Sequence, residues 1–337
     1  MAIRRFVRVL GLLAALLSPL AAHADKLPRL VLGGPGAVVS APLIHMVETG
    51  ALADLAESVS FVQWRDPDQL RAMALDGQAD VLAMPTNVAA NLHNRGAPVT
   101  LLNVSTWGAL WMVSRSPDRK TLADFRGEEI AMPFRGDMPD IIFQLLAARQ
   151  GLDVRKDFRI RYVATPVDAM QLLVMRRVDH ALLAEPAVSM ALRKTKSFPL
   201  GLVAPELHRS VDFQQEWGRL YARSTRIPQA GIAAVGAVRE QPDILARIEA
   251  AYAASLAWCR THALECGRMV AKHIDILSAE AVSDAIGVSQ LDAVPATQAR
   301  DALAFFFEQL KARNPALIGG KLPGDAFYGG KCADCKP

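Results

Sequence analysis

The stretch DGQADVLAMPTNVAANL, residues 76–92, reads as turn, strand and helix in succession. Gly77 supplies the turn. Val81, Leu82, Ala83 and Met84 form an apolar run of the kind buried in a parallel sheet. Pro85-Thr86-Asn87 then opens a helix that Thr86 or Asn87 is able to cap. A strand that ends at a helix N-terminus leaves free N–H groups and a partial positive charge at the carboxyl edge of its sheet. That edge is where open α/β sheets take ligands. The same phrase returns as DHALLAEPAVSMAL at residues 179–192. Counted from Asp80 and Asp179, Thr86 falls on Glu185 and Asn87 on Pro186. A helical run precedes each copy, at residues 68–75 and 168–174, with a one-residue indel between the copies. Two similar α/β units with ligand-facing strand ends imply two lobes and a cleft between them.

The chain has 337 residues, enough for two domains of ordinary size, and its 51% hydrophobic and 21% charged composition is globular. Arg4, Arg5 and Arg8 precede an apolar run over residues 9–20, followed by Ala22-His23-Ala24. Together these read as an export signal, residues 1–24, cleaved after Ala24. The run is short for a membrane span; an anchor kept on the mature chain is the alternative. Cleavage removes three Arg and no acid, so the net charge falls from +4 to about +1. No basic face remains to argue for nucleic acid.

All four cysteines lie late in the chain: Cys259, Cys266, Cys332 and Cys335. An even number in an exported protein favours disulfides. Cys259 and Cys266 sit on what reads as one helix, about 10 Å apart along its axis, too far to bond without a break. Either the helix breaks near Gly267, or these two pair with the tail; the reading favours a tail stapled back onto the helix. A metal site built from Cys332, Cys335 and His262 is the competing use. Haem attachment is disfavoured because Lys336, not His, follows Cys335.

Between these landmarks, Gly33-Gly34-Pro35-Gly36 follows a short strand and leads through Ser40 into a helix. Such a turn lets a ligand approach the backbone, at Gly36 in particular. Its spacing is not that of a dinucleotide fingerprint. Residues 99–113 read as two strand pieces, interrupted at Ser105-Thr106-Trp107-Gly108, that cross into the second lobe and place Thr106 and Trp107 at a cleft-facing hinge. The loop at residues 133–140 carries Arg135, a candidate clamp for a carboxylate, sulfonate or phosphate. The alternative for Arg135 is a surface pairing with Asp137 or Asp140. Met84, Phe134 and Met138 join Trp107 as an apolar wall. Residues 198–204 read as a strand, 208–217 as a polar connection, and 231–238 as a strand returning to the first lobe. The resulting division is 25–106 with 232–337 for one lobe and 107–231 for the other.

The export signal, the Gly-rich turn, DGQADVLAMPTN, VSTWG, the Arg135 loop, DHALLAEP, REQPD and LPGDAFYGG follow one another in an order that resembles the periplasmic substrate-binding proteins of ABC importers. The resemblance is to the nitrate/sulfonate/taurine group that includes the NMT1/THI5-like proteins. It implies an α/β fold of two lobes (type II-like), each a sheet flanked by helices, with the ligand enclosed between them. It implies ligand contacts near Ser40, Thr86, Thr106, Arg135 and Glu185, with Gly36, Asn87, Trp107 and Asp137 as further candidates. The implied partners are a small anionic or polar organic ligand and an inner-membrane permease, with the chain a monomer and no cofactor required. The Cys-rich motif of the group's pyrimidine-synthesising branch is absent. No nucleophile motif is present to support an enzyme. A periplasmic sensor or metal-delivery protein using the C-terminal cysteines is the alternative function.

Overall fold

The structure, a computed structural model, describes residues 26–197 and 206–329. The export signal, the strand expected at residues 198–204, and Cys332 and Cys335 lie outside the described residues.

The first part of the chain runs β1 (Leu30–Gly34), α1 (Ala41–Glu48), β2 (Val59–Gln63), α2 (Pro67–Leu75), β3 (Val81–Pro85), α3 (Thr86–Asn94), β4 (Val99–Leu101) and β5 (Asn103–Gly108). A second part follows with β6 (Leu110–Ser114), β7 (Glu129–Pro133), α4 (Met138–Arg149), α5 (Val154–Asp157), β8 (Arg159–Val163), α6 (Pro166–Val174), β9 (His180–Ala184), α7 (Ala187–Lys196), β10 (His208–Asp212) and α8 (Phe213–Tyr221). The chain ends through β11 (Ala230–Val235), α9 (Pro242–Thr261), α10 (Ala263–His273), α11 (Ala279–Val288), β12 (Gln290–Pro295) and α12 (Arg300–Arg313).

Among the described residues the strands form two sheets. One has the order β12-β5-β11-β3-β1-β2 with β4 paired to β11; the other has the order β10-β6-β9-β7-β8. In the first sheet β1 is parallel to β2 and β3, and β11 runs antiparallel to β3. In the second, β7 is parallel to β8 and β9, and β6 runs antiparallel to β9. The two halves therefore repeat one pattern, as the echo of residues 76–92 implied. Val81 and His180 open the matching strands, and Pro67 and Pro166 the helices before them, all at one offset of 99 residues. No indel separates helix from strand. The one-residue shift lies earlier, between β2 and β8, which open at Val59 and Arg159.

Local chemistry accounts for these elements. The run from Val81 to Met84 is fully buried, as a strand with helices on both faces requires. Asp80 locks β3 to β1 by accepting from the Val31 N–H at 2.8 Å. Asp66 caps α2 through the N–H groups of Asp68 and Gln69, and Thr165 with Asp168 forms a capping box on α6. Gly231 is required where β11 passes the preceding crossing: a Cβ there would stand 1.9 Å from the Asn103 carbonyl oxygen. Residues 208–217 are a strand and the start of a helix rather than a connection. Val211 and Phe213 bury their side chains, and Asp212 caps α8.

The cysteine reading needs correction. Cys259 and Cys266 are bonded to each other, with Cα atoms 5.2 Å apart. The helix that was to hold them apart is two helices. His262, at φ −124° and ψ 49°, ends α9 and begins a new direction for α10, which folds the two thiols together. Gly267 lies within α10, where it packs directly on Ala279 and breaks nothing. Both sulfurs belong to residues with no exposed surface.

Candidate functional site

A cavity of about 620 Å³ lies between the two sheets. Among the described residues, the carboxyl ends of all six parallel strands contribute to its wall: Pro35 and Gly36 after β1, Gln63 and Trp64 at β2, Met84 and Pro85 on β3, Phe134 and Asp137 after β7, Thr165 after β8, and Ala184 and Glu185 at β9. This is the ligand edge expected of open α/β sheets, doubled by the internal repeat. Thr106 of β5, Gln229 before β11, His273 at the end of α10 and Asp275, Ile276 and Leu277 after it also line the cavity.

The wall is mainly apolar. Trp64 is held by its indole N–H, which donates to the Ala83 carbonyl at 3.0 Å. Phe134 has a left-handed backbone (φ 57°), a strained conformation for a bulky residue. The loop is clamped by Asp137 N–H donating to the Phe134 carbonyl and by Asp140 accepting from Gly136 N–H. Two carboxylates interrupt the apolar surface. Glu185 is 1% exposed and accepts from the Arg209 guanidinium at 2.6 Å and from Ser189 N–H at 3.0 Å. Asp137 caps α4 through Met138 N–H and takes a 3.1 Å contact from Arg71 of α2, across the two sheets. Burial pushes the Asp137 carboxyl above its ordinary range, and Arg71 works against that shift.

Of the expected ligand contacts, Gly36, Thr106, Asp137 and Glu185 line the cavity, together with the apolar residues Met84, Phe134 and Met138. The others have different neighbours. Ser40 donates to the Pro35 carbonyl at 2.7 Å and braces the Gly-rich turn; a Cβ at Gly34 would stand 2.2 Å from its oxygen. Thr86 donates to the Pro228 carbonyl at 2.6 Å, and its N–H to the Gln229 carbonyl, so it positions Gln229 rather than lining the wall. Asn87 is buried beside it in α3. Trp107 is buried, donates to the Asp292 carbonyl at 2.9 Å and lies under Arg226, while Ser105 of the same strand is bonded to Tyr252 of α9. Arg135 is exposed and stacks over Tyr162, 5.1 Å from the ring centre, pairing with neither Asp137 nor Asp140. Its backbone follows a left-handed residue, which turns the loop so that Phe134 lines the cavity and Arg135 does not.

Sequence reasoning missed Trp64, Gln63 and Gln229, and the corner at 273–277. Trp64 follows the last residue of a parallel strand, so the strand-end rule that singled out Thr86 applied to it equally. The corner carries no local signal, because it reaches the cavity only through the turn at His262. Among the described residues no group of three or more His, Cys, Asp or Glu side chains could hold a metal ion.

No family model matches this chain, and no curated protein matches it. Solved structures do match. An ABC transporter from Parabacteroides distasonis superposes with a TM-score of 0.73 at 21% identity, covering 91% of this chain and all of that one. This chain has the fold of ABC-importer binding proteins. The periplasmic aliphatic sulphonate binding protein SsuA from Escherichia coli gives 0.66 at 16% identity, covering 88% of this chain and 92% of that one. The periplasmic nitrate-binding protein NrtA from Synechocystis PCC 6803 gives 0.65 at 15% identity, over 87% and 84%. The two-lobed α/β architecture expected from the sequence is the one these binding proteins share.

Proposed function

We propose that this chain is the periplasmic solute-binding component of an ABC importer, holding a small organic molecule between its two halves and delivering it to an inner-membrane permease. The carrying observation is the convergence of six parallel strand ends, from two sheets of one repeated pattern, on one cavity. Residues 25–106 with 232–337 and residues 107–231 are then the two lobes that close on the ligand. The chain changes sheet at Ala109, between β5 and β6, and again between α8 and β11. Ligand contacts with both lobes favour the closed form and so couple binding to recognition by the permease. Glu185 serves the site as a wall and cap, not as half of a catalytic pair: His180 sits at the opposite end of β9, bonded to Ser114 at 3.0 Å.

Native mass spectrometry of the mature chain, purified without denaturation and then equilibrated with a small-molecule extract of the cells that express it, tests this reading. A bound mass released on denaturation and lost in Met84→Arg, whose new side chain fills the cavity, is the expected result. A chain that stays bare under both conditions sinks the proposal. Arg135→Ala, by the placement of its side chain, leaves the bound mass in place.

A further inference from the structure

Two buried carboxylates, Asp137 and Glu185, set the cavity wall against an oxyanion. Helix N-termini bind anions through unoccupied N–H groups, and five of the helices that start at this wall give at least one of those groups to the protein itself, while α1, which follows the Gly-rich turn, has no side-chain cap. Asp66 takes the N–H groups of α2, Asp137 takes Met138 N–H on α4, Thr165 takes Asp168 N–H on α6, and Glu185 takes Ser189 N–H on α7. On α3 the first N–H donates to the Gln229 carbonyl. An anion entering here would meet two buried carboxylates with their cations already engaged: Arg71 by Asp137 and Arg209 by Glu185. At the rim, exposed Arg65 and exposed Asp275 oppose one another in sign, and His273 is held by Glu48 at 2.8 Å. Burial already disfavours the charged form of Asp137, and a second negative charge beside it in a low-dielectric cavity is repelled. Each buried carboxylate of the lining already has its own arginine, so a cation finds no unspent carboxylate in the interior either.

The Thr106 hydroxyl is buried in this wall without a partner, and one further polar group there is both fixed in direction and unspent. Gln214 accepts Leu110 N–H with its carbonyl oxygen at 3.1 Å, which fixes the direction of its amide; that same oxygen accepts from the Gln229 amide nitrogen at 3.1 Å. Gln229 must therefore point its nitrogen at Gln214, and its carbonyl oxygen is left as an acceptor on a residue that lines the cavity. Thr86 and the Thr106 carbonyl hold the Gln229 backbone in place.

From the apolar wall, its two buried and already paired carboxylates and this acceptor, we infer that the ligand is an uncharged organic molecule, largely apolar, whose polar end donates a hydrogen bond to Gln229. The inference rests on the carrier reading and narrows it. The mature chain is mixed with an equimolar library of uncharged, anionic and cationic organic molecules matched in size, including indole-3-acetamide, indole-3-acetate and tryptamine. Native mass spectrometry then reads which masses are retained. Uncharged members are expected to be enriched at least tenfold over their charged counterparts. A retained set led by carboxylates, sulfonates or amines overturns the inference and leaves the carrier intact; no retained mass at all overturns both. Gln229→Leu is expected to weaken the retained uncharged ligand about tenfold, with only the small drop in melting temperature that loss of its bond to Gln214 brings. Unchanged affinity in that variant removes Gln229 from the inference. Should the variant fail to fold, the selection by the unaltered chain still decides the charge class.

Discussion

Thr86 and Glu185 occupy the same slot in the repeated phrase, six residues beyond Asp80 and Asp179, yet the fold employs them differently. In the first half, Thr86 is already the first residue of α3, and its hydroxyl ties the helix to the incoming segment before β11. In the second half, two further residues, Glu185 and Pro186, intervene before α7 begins at Ala187. That extension turns the Glu185 side chain back over its own helix, where it caps Ser189 N–H and meets Arg209. A repeated sequence thus conserves the strand and the edge, while a shift of two residues in where the helix starts decides which side chain the edge presents.

The contrast gives three measurable differences. Glu185→Ala carries the largest effect, because it strands a three-quarters-buried guanidinium and an uncapped N–H. The expected loss is about 3 kcal/mol of unfolding free energy, read as a lower urea midpoint at unchanged slope. A loss under about 1 kcal/mol would mean that the Glu185–Arg209 pair is no more than a surface ion pair. Replacing both Cys259 and Cys266 by Ala tests a feature of the first half that the second lacks, the cross-linked α9–α10 corner. The short loop it closes sets the expected loss at about 2.5 kcal/mol. Stability equal to that of the parent under oxidising conditions would break this account. Thr86→Val keeps the shape and removes one hydrogen bond to a buried carbonyl, for an expected loss of about 1 kcal/mol, together with weaker ligand binding through the displaced Gln229. If Thr86→Val matched Glu185→Ala in stability, the two slots would be equivalent after all.

The same contrast explains what was legible in the sequence. Strand identity and the repeat were readable because burial on both faces demands unbroken apolar runs, as in Val81 to Met84 and Ala181 to Leu183. Met84, Phe134 and Met138 were readable because strand ends in such sheets share one edge. Orientation within a loop was not readable. Arg135 and Phe134 are neighbours, and only a left-handed backbone at Phe134, invisible in composition, decides which of them faces inward. Nor was the turn at His262, so the cysteine spacing was measured along a helix that does not continue. The burial of Trp107 against Asp292 depends on β12, nearly two hundred positions away in the chain.

The strand order of the first sheet also bears on how the molecule is assembled. β4 and β5 are joined to β3 only through β11, which comes from beyond the entire second sheet. When the chain emerges from its amino end, β2, β1 and β3 must wait as a three-stranded fragment until Val235 arrives. The second sheet draws on one uninterrupted stretch, from Leu110 to Asp212. Its contacts are more local in sequence and close earlier loops. The half that is synthesised later is thus the one able to finish first, and the order of strands, not the order of residues, sets the timetable of folding.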